Sequence, residues 1–121
     1  MYSNLIVDHF TDPSFVGDLD ECDLAFEIGN SVCGDRIRIQ LSLDAGIIAK
    51  VVFRAWGCAT SIATADIFCE SIRGKTSADI TLRSHEEIEA MLGELDPSQH
   101  HCVHILQELH NKVVEEMGAT V

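Results

Sequence analysis

The chain has 121 residues, 46% of them hydrophobic, which is enough for one folded domain spanning residues 1–121. Its 20 acidic and 8 basic side chains give a formal charge of −12, which repels phosphate backbones and anionic lipids and argues against nucleic-acid and membrane-surface roles. No apolar run approaches the roughly 20 residues that span a bilayer. The first residues show no signal-peptide pattern, so we expect a cytoplasmic location.

The first half of the chain predicts a short helix followed by three strands. Residues 2–10 favour a helix, and residues 24–28 begin a strand of alternating apolar and polar side chains. Residues 36–43 alternate strictly, 44–46 are a short hairpin loop, and 47–56 return as a third strand. On that third strand, the face expected to be buried consists of Ile47, Val51, Phe53 and Ala55.

The second half predicts helices. One helix ends near Gly74, a capping box at Ser84 and Glu87 begins another, and the last starts at residues 96–98. The first of these carries the apolar stripe Ile62, Ala65, Cys69 and Ile72, and the last carries Cys102, Leu106, Leu109, Val113 and Met117. Strands followed by helices indicate a single α+β domain with a three-stranded antiparallel sheet and helices packed on one face.

Five cysteines without an export signal are expected to be reduced thiols, catalytic groups or metal ligands rather than disulfides. Cys33 lies in the loop between the first two strands, Cys58 where the third strand turns into a helix, and Cys102 in the first turn of the last helix. Helix starts favour a thiolate, and we expect all three to be reachable by solvent or a partner. Cys69 is expected to pack in the core and Cys22 to be an inert surface thiol.

These three thiols, with Asp35 or His101 as a fourth ligand, predict a metal centre. Thiolate-rich sites select zinc, copper(I) or iron–sulfur clusters, and spacing alone does not distinguish among them. A Cys–His hydrolase with Cys102 as nucleophile is disfavoured, because adjacent side chains on a helix diverge by about 100°. His100 and His104 are expected at the surface.

Five short motifs follow one another in order and together resemble one family. They are Tyr2 with Val7-Asp8-His9-Phe10, Pro13 and Gly17; Cys33-Gly34-Asp35; Trp56-Gly57-Cys58 with Ser61, Ile62 and Ala63; Gly74-Lys75-Thr76; and His101-Cys102. Over nearly its whole length the chain resembles the U-type iron–sulfur cluster assembly scaffolds, IscU and the N-terminal domain of NifU.

The resemblance implies a scaffold or carrier rather than an enzyme. A cysteine desulfurase would supply sulfur, with Cys102 as the persulfide acceptor. Together with iron, this sulfur would form a [2Fe–2S] cluster on Cys33, Cys58 and Cys102, with Asp35 or His101 as a further ligand. The cluster would then pass to apo iron–sulfur acceptor proteins, and Asp35 would keep it labile. Zinc can occupy the same ligands in the purified protein, and the working form is either a monomer or a homodimer.

The resemblance leaves an alternative, and one of the chain's departures from the family pattern bears on its partners. The alternative is a zinc-dependent protein that accepts and transfers persulfide sulfur with the same ligands. The departure lies in Leu95–Gln99, where the family has L-P-P-V-K before its final H-C pair. Two apolar residues and a lysine are lost there, which weakens the expectation that a dedicated Hsp70-type chaperone recognises this chain.

Overall fold

The computed structural model describes residues 4–30, 35–57, 59–93 and 101–119. In chain order the elements are α1 (Asn4–Thr11), β1 (Leu24–Asn30), β2 (Asp35–Asp44), β3 (Ile47–Trp56), α2 (Ala59–Ile72), α3 (Ser77–Thr81), α4 (His85–Ala90) and α5 (His101–Ala119). None of the helices within these ranges is long and apolar enough to cross a membrane. The predicted start of the last helix at residues 96–98 lies outside the described residues.

The three strands form one antiparallel sheet in the order β1-β2-β3, as predicted. The alternation along β2 sets its two faces, because successive side chains on a strand point to opposite sides. Ile39 and Leu41 are fully buried, whereas Arg36 is exposed and Arg38 is half-buried on the other face. The apolar face of the sheet therefore carries the core.

The hairpin between β2 and β3 corrects the face predicted for β3. Ala45 and Gly46 have φ values of 52° and 82°, as two-residue hairpin turns require. Next to the turn, Ser42 pairs with Lys50 but Leu43 pairs with Ile48, and this shift in register marks a β-bulge. The bulge reverses the alternation, so that Ile47 is 43% exposed and Ile48 is completely buried. The prediction that Ile47 faces the core was wrong.

The helices cover one face of the sheet, as predicted. α2 packs on β2 and β3, α5 packs on β1 and on α2, and α1 lies against α2. The stripe predicted for α5 is buried over its whole length, from Cys102 to Met117. α2 is buried on more sides than its predicted stripe, because the sheet, α1 and α5 all contact it; its buried residues include Ser61, Thr64 and Asp66.

Asp66, in the middle of α2, anchors α1 and the segment after it. Its fully buried carboxylate lies 2.6 Å from Nδ1 of His9 and accepts a hydrogen bond of 2.9 Å from the backbone N–H of Phe15. The more exposed Glu70 lies 3.2 Å from Nε2 of the same imidazole. A buried carboxylate thus holds two separate parts of the N-terminal segment on α2.

Two loop segments cover the outer edge of β3. The backbone of Phe53 bonds with Phe15 and Gly17, and the backbone of Ile48 bonds with Gly74 and Lys75. The second segment is the glycine-lysine-threonine turn identified in the sequence. It protects a strand edge that would otherwise present unpaired backbone groups.

Candidate metal centre

The predicted ligands lie in sequence next to four element ends. Asp35 is the first residue of β2, two positions after Cys33. Cys58 stands between Trp56, the last residue of β3, and Ala59, the first of α2. Cys33, Cys58 and the side chain of Asp35 lie outside the described residues, so their part in a metal site stays a prediction.

Strand pairing brings two of these element ends together. Arg36, which follows Asp35, pairs with Trp56 in the antiparallel register of β2 and β3. Gly57 then has a φ of 143°, a backbone conformation that glycine adopts readily and other residues rarely do. The glycine therefore permits the change of direction between β3 and α2 at the position directly before Cys58.

Side chains on the outer face of the sheet also hold the start of β2 beside the end of β3. The guanidinium of Arg36 lies over the ring of Trp56, 4.2 Å from its centroid, and its Nε is 2.6 Å from a carboxylate oxygen of Glu27. Cross-strand pairs of this kind stabilise neighbouring strands. This row of side chains joins β1, β2 and β3, and its members Arg36 and Trp56 are three and two positions in sequence from Cys33 and Cys58.

Further along the same face, Asp18 lies between two arginines. It contacts Arg38 and accepts a hydrogen bond of 2.9 Å from Nη2 of Arg54. The hydrogen bond from Arg54 and the charges of both arginines hold the pKa of Asp18 below its usual value. The three arginines named on this face are therefore paired with the carboxylates of Glu27 and Asp18.

His101 and Cys102 lie in the first turn of α5, as predicted, and His101 contacts the first turn of α2. Nε2 of His101 lies 3.1 Å from Oγ1 of Thr60 and 3.9 Å from Sγ of Cys102. Thr60 is only two residues after Cys58. This hydrogen bond therefore connects the predicted ligand pair His101 and Cys102 to the start of α2, the helix that follows the predicted ligand Cys58 in sequence.

The surroundings of Cys102 differ from the expectation. The thiol is completely buried, so the prediction that solvent or a partner reaches it was wrong for this residue. The reason is the apolar stripe: four residues before Leu106, Cys102 lies on the face of α5 that packs into the core. His101 is exposed beside it, and His104 is exposed as predicted.

The hydrolase alternative stays disfavoured, although the side chains of His101 and Cys102 do approach each other. Although adjacent side chains leave a helix in different directions, the imidazole of His101 turns back to within 3.9 Å of the Cys102 sulfur. In this conformation the sulfur is fully covered, which prevents a substrate carbonyl from approaching it and means that a persulfide or a cluster can form on Cys102 only after the surrounding side chains move.

The two remaining cysteines lie where the sequence predicted. Cys22 is exposed, and Cys69 is completely buried within α2. Burial raises the pKa of the Cys69 thiol well above its usual value, and the nearby charge of Asp66 adds to the effect. Cys69 is therefore a core side chain rather than a thiolate ligand.

Within the described ranges, no three histidine, cysteine or acidic side chains come together as a metal site. His101 and Cys102 are the two predicted donors whose side chains are described there, and they are adjacent. Thr60 is the residue of this region that sequence reasoning missed. Its position two residues after Cys58 was the available signal.

Comparisons with known proteins identify relatives over most of the chain. The family model described as "NifU-like N terminal domain" matches residues 1–119. The iron–sulfur cluster assembly scaffold protein IscU 1 of Archaeoglobus fulgidus is 30% identical over 114 residues, covering 94% of this chain and 74% of the relative. The scaffold protein IscU of Haemophilus influenzae is 32% identical over 105 residues, covering 84% of this chain and 82% of the relative.

Solved structures agree with the fold. A proposed iron–sulfur cluster assembly scaffold protein for the SUF system from Fervidobacterium islandicum superposes with a TM-score of 0.62 at 29% identity, covering 91% of this chain and 82% of that chain. The N-terminal part of a NifU-like protein from Brucella abortus gives a TM-score of 0.62 at 13% identity, covering 93% and 79%, and supports the fold alone.

Proposed function

The chain belongs to the family of NifU-like N-terminal domains, and on that premise we propose that it is a scaffold protein for iron–sulfur cluster assembly. The scaffold names of its relatives support this role. A scaffold holds a cluster as cargo and releases it, so the protein is a carrier rather than an enzyme.

In its specific form, the proposal is that the cargo is a [2Fe–2S] cluster. Iron and sulfur from a cysteine desulfurase would assemble on Cys33, Cys58 and Cys102, with Asp35 or His101 as the further ligand. Three thiolates suit iron, and a carboxylate or imidazole gives a weaker fourth bond that allows release to apo acceptor proteins.

The observation that carries the proposal is the contact between the first turns of α2 and α5. The 3.1 Å hydrogen bond between Thr60 and His101 brings the histidine–cysteine pair beside the helix start that follows Cys58. The pairing of Arg36 with Trp56 brings the start of β2 beside the strand end that precedes Cys58. Each of the five predicted ligands is therefore within three positions in sequence of a residue that makes one of these two contacts.

The test is anaerobic reconstitution with ferrous iron, L-cysteine, a cysteine desulfurase and a thiol reductant. We expect wild type to acquire a visible [2Fe–2S] absorption with matching iron and sulfide contents. Cys33→Ser, Cys58→Ser and Cys102→Ser should lose it. The matched controls Cys22→Ser and Cys69→Ala should keep it, and loss of the absorption in a folded control would contradict the ligand assignment.

A second candidate is the zinc-dependent sulfur acceptor. The proximity of an imidazole to the Cys102 sulfur favours it, because zinc binds mixed cysteine and histidine donors. The same reconstitution separates the two functions. Sulfur accepted by a protein that retains one zinc and acquires no iron supports this candidate against the scaffold.

A further inference from the structure

Thr60 is a buried hydroxyl residue aimed at an exposed imidazole. The side chain is in the first turn of α2 and only 4% exposed, and its Oγ1 lies 3.1 Å from Nε2 of His101. The partner, His101, is exposed at the first turn of α5. A fixed side chain thus holds one that would otherwise turn freely in water.

The contact uses one of the two ring nitrogens. A neutral imidazole has one N–H and one lone pair, and only the nitrogen with the lone pair binds a metal. Nε2 is the atom that meets Thr60, so a metal-binding His101 would offer Nδ1. Metal-bound histidines almost always donate their other N–H to a protein acceptor, and a threonine oxygen can accept that bond while donating its own hydrogen elsewhere.

We propose that Thr60 is a positioning residue for the metal centre: its hydroxyl accepts a hydrogen bond from Nε2–H of His101 and presents Nδ1 as the ligand nitrogen. This inference rests on the proposed function and assigns the further ligand to His101 rather than to Asp35. The 3.9 Å distance to the Cys102 sulfur is also measured from Nε2, so it describes the nitrogen that meets Thr60 and not the proposed ligand nitrogen.

The experiment compares Thr60→Val, which removes the hydroxyl at constant shape, with Thr60→Ser, which keeps it. The first readout is the tautomer of His101 in the metal-free protein, from long-range ¹H–¹⁵N NMR correlations. We expect the Nε2–H tautomer in wild type and Thr60→Ser, and a shift towards a mixture in Thr60→Val. The same tautomer in all three proteins would overturn the proposal.

The second readout is zinc affinity, measured with zinc alone against a chromogenic chelator. Loss of the partner of a metal-bound histidine weakens binding by about 10- to 100-fold. We expect a loss of that size in Thr60→Val and recovery in Thr60→Ser. Equal affinity in all three would overturn the proposal, with Asp35 then the better candidate.

The two readouts keep this inference separate from the scaffold function. If wild type binds zinc with Thr60-dependent affinity but never acquires a cluster, the scaffold function fails and the positioning role survives. If wild type acquires a cluster that survives equally long in Thr60→Val, the positioning role fails and the scaffold function survives.

Discussion

His9 provides a direct test of how burial controls the strength of a charged contact. One ring nitrogen lies 2.6 Å from Asp66, whose side chain is 0% exposed, and the other lies 3.2 Å from Glu70, whose side chain is 62% exposed. The geometry is similar, but the environments differ. We predict that Asp66→Ala lowers the free energy of unfolding by about 3 to 5 kcal/mol, and that Glu70→Ala lowers it by less than about 1 kcal/mol.

The larger figure follows from the contacts of Asp66. Replacing it with alanine removes acceptors from His9 and from the backbone N–H of Phe15. A hydrogen bond to a charged group contributes about 1.5 to 3 kcal/mol, and both donors would be left without this acceptor in a partly buried place. The better helix propensity of alanine offsets only about 0.5 kcal/mol.

The assay is urea unfolding followed by circular dichroism, together with thermal unfolding. With an unfolding entropy of about 2.1 cal/mol/K per residue, 121 residues give about 0.25 kcal/mol/K. The predicted loss for Asp66→Ala therefore lowers the melting temperature by roughly 12 to 20 °C. Equal effects in the two variants, or an Asp66→Ala loss below about 1 kcal/mol, would refute the reasoning.

Three further predictions use other sites. In the native protein, iodoacetamide should modify the exposed Cys22 before the buried Cys69 and Cys102, as peptide mass mapping would establish; simultaneous modification would contradict the burial of the Cys69 and Cys102 thiols. Burial and the charge of Arg83 lower the pKa of His110 below 6.5, so the unfolded chain binds its proton more tightly. Stability should then fall as pH drops below about 6.5, and urea unfolding at pH 7.5 and 5.5 should show a smaller loss in His110→Gln than in wild type; identical losses would oppose this. The alternative in which Asp35, and not His101, is the further ligand predicts that Asp35→Ala slows cluster transfer and lengthens the cluster's half-life in air, followed by visible absorption, because a carboxylate is a weaker ligand than a thiolate for this soft centre. An unchanged rate would limit Asp35 to shaping its turn.

Much of the fold was predictable because its core follows simple periods. The alternation of Ile37, Ile39 and Leu41 defined the buried face of β2. The predicted face of β3 failed at Ile47, because a bulge inserts one residue and the neighbouring Ile48 is equally apolar. Hydrophobicity alone cannot predict which of two adjacent isoleucines is buried, because that depends on the register of the strand pairing.

The candidate site was less predictable, because contacts between distant residues build it. Thr60 and His101 are separated by 41 positions, and no periodicity connects a threonine in one helix with a histidine in another. The sequence predicted both that Cys102 is part of the apolar stripe of α5 and that it is an accessible ligand. The packing of α5 buries it, so the first prediction is confirmed and the predicted accessibility is wrong. Motifs indicated which residues are candidate ligands, whereas packing determined which of the described ones face water.

Cluster transfer tests the central claim most directly. The reconstituted protein would be mixed anaerobically with an apo-ferredoxin and a chelator of free iron, and visible circular dichroism would follow both proteins. A scaffold predicts that its own spectrum decays at the rate at which the holo-ferredoxin spectrum appears, with a rate that rises with acceptor concentration. A cluster that stays on this protein, or loses its iron to the chelator before any holo-ferredoxin forms, would contradict the account.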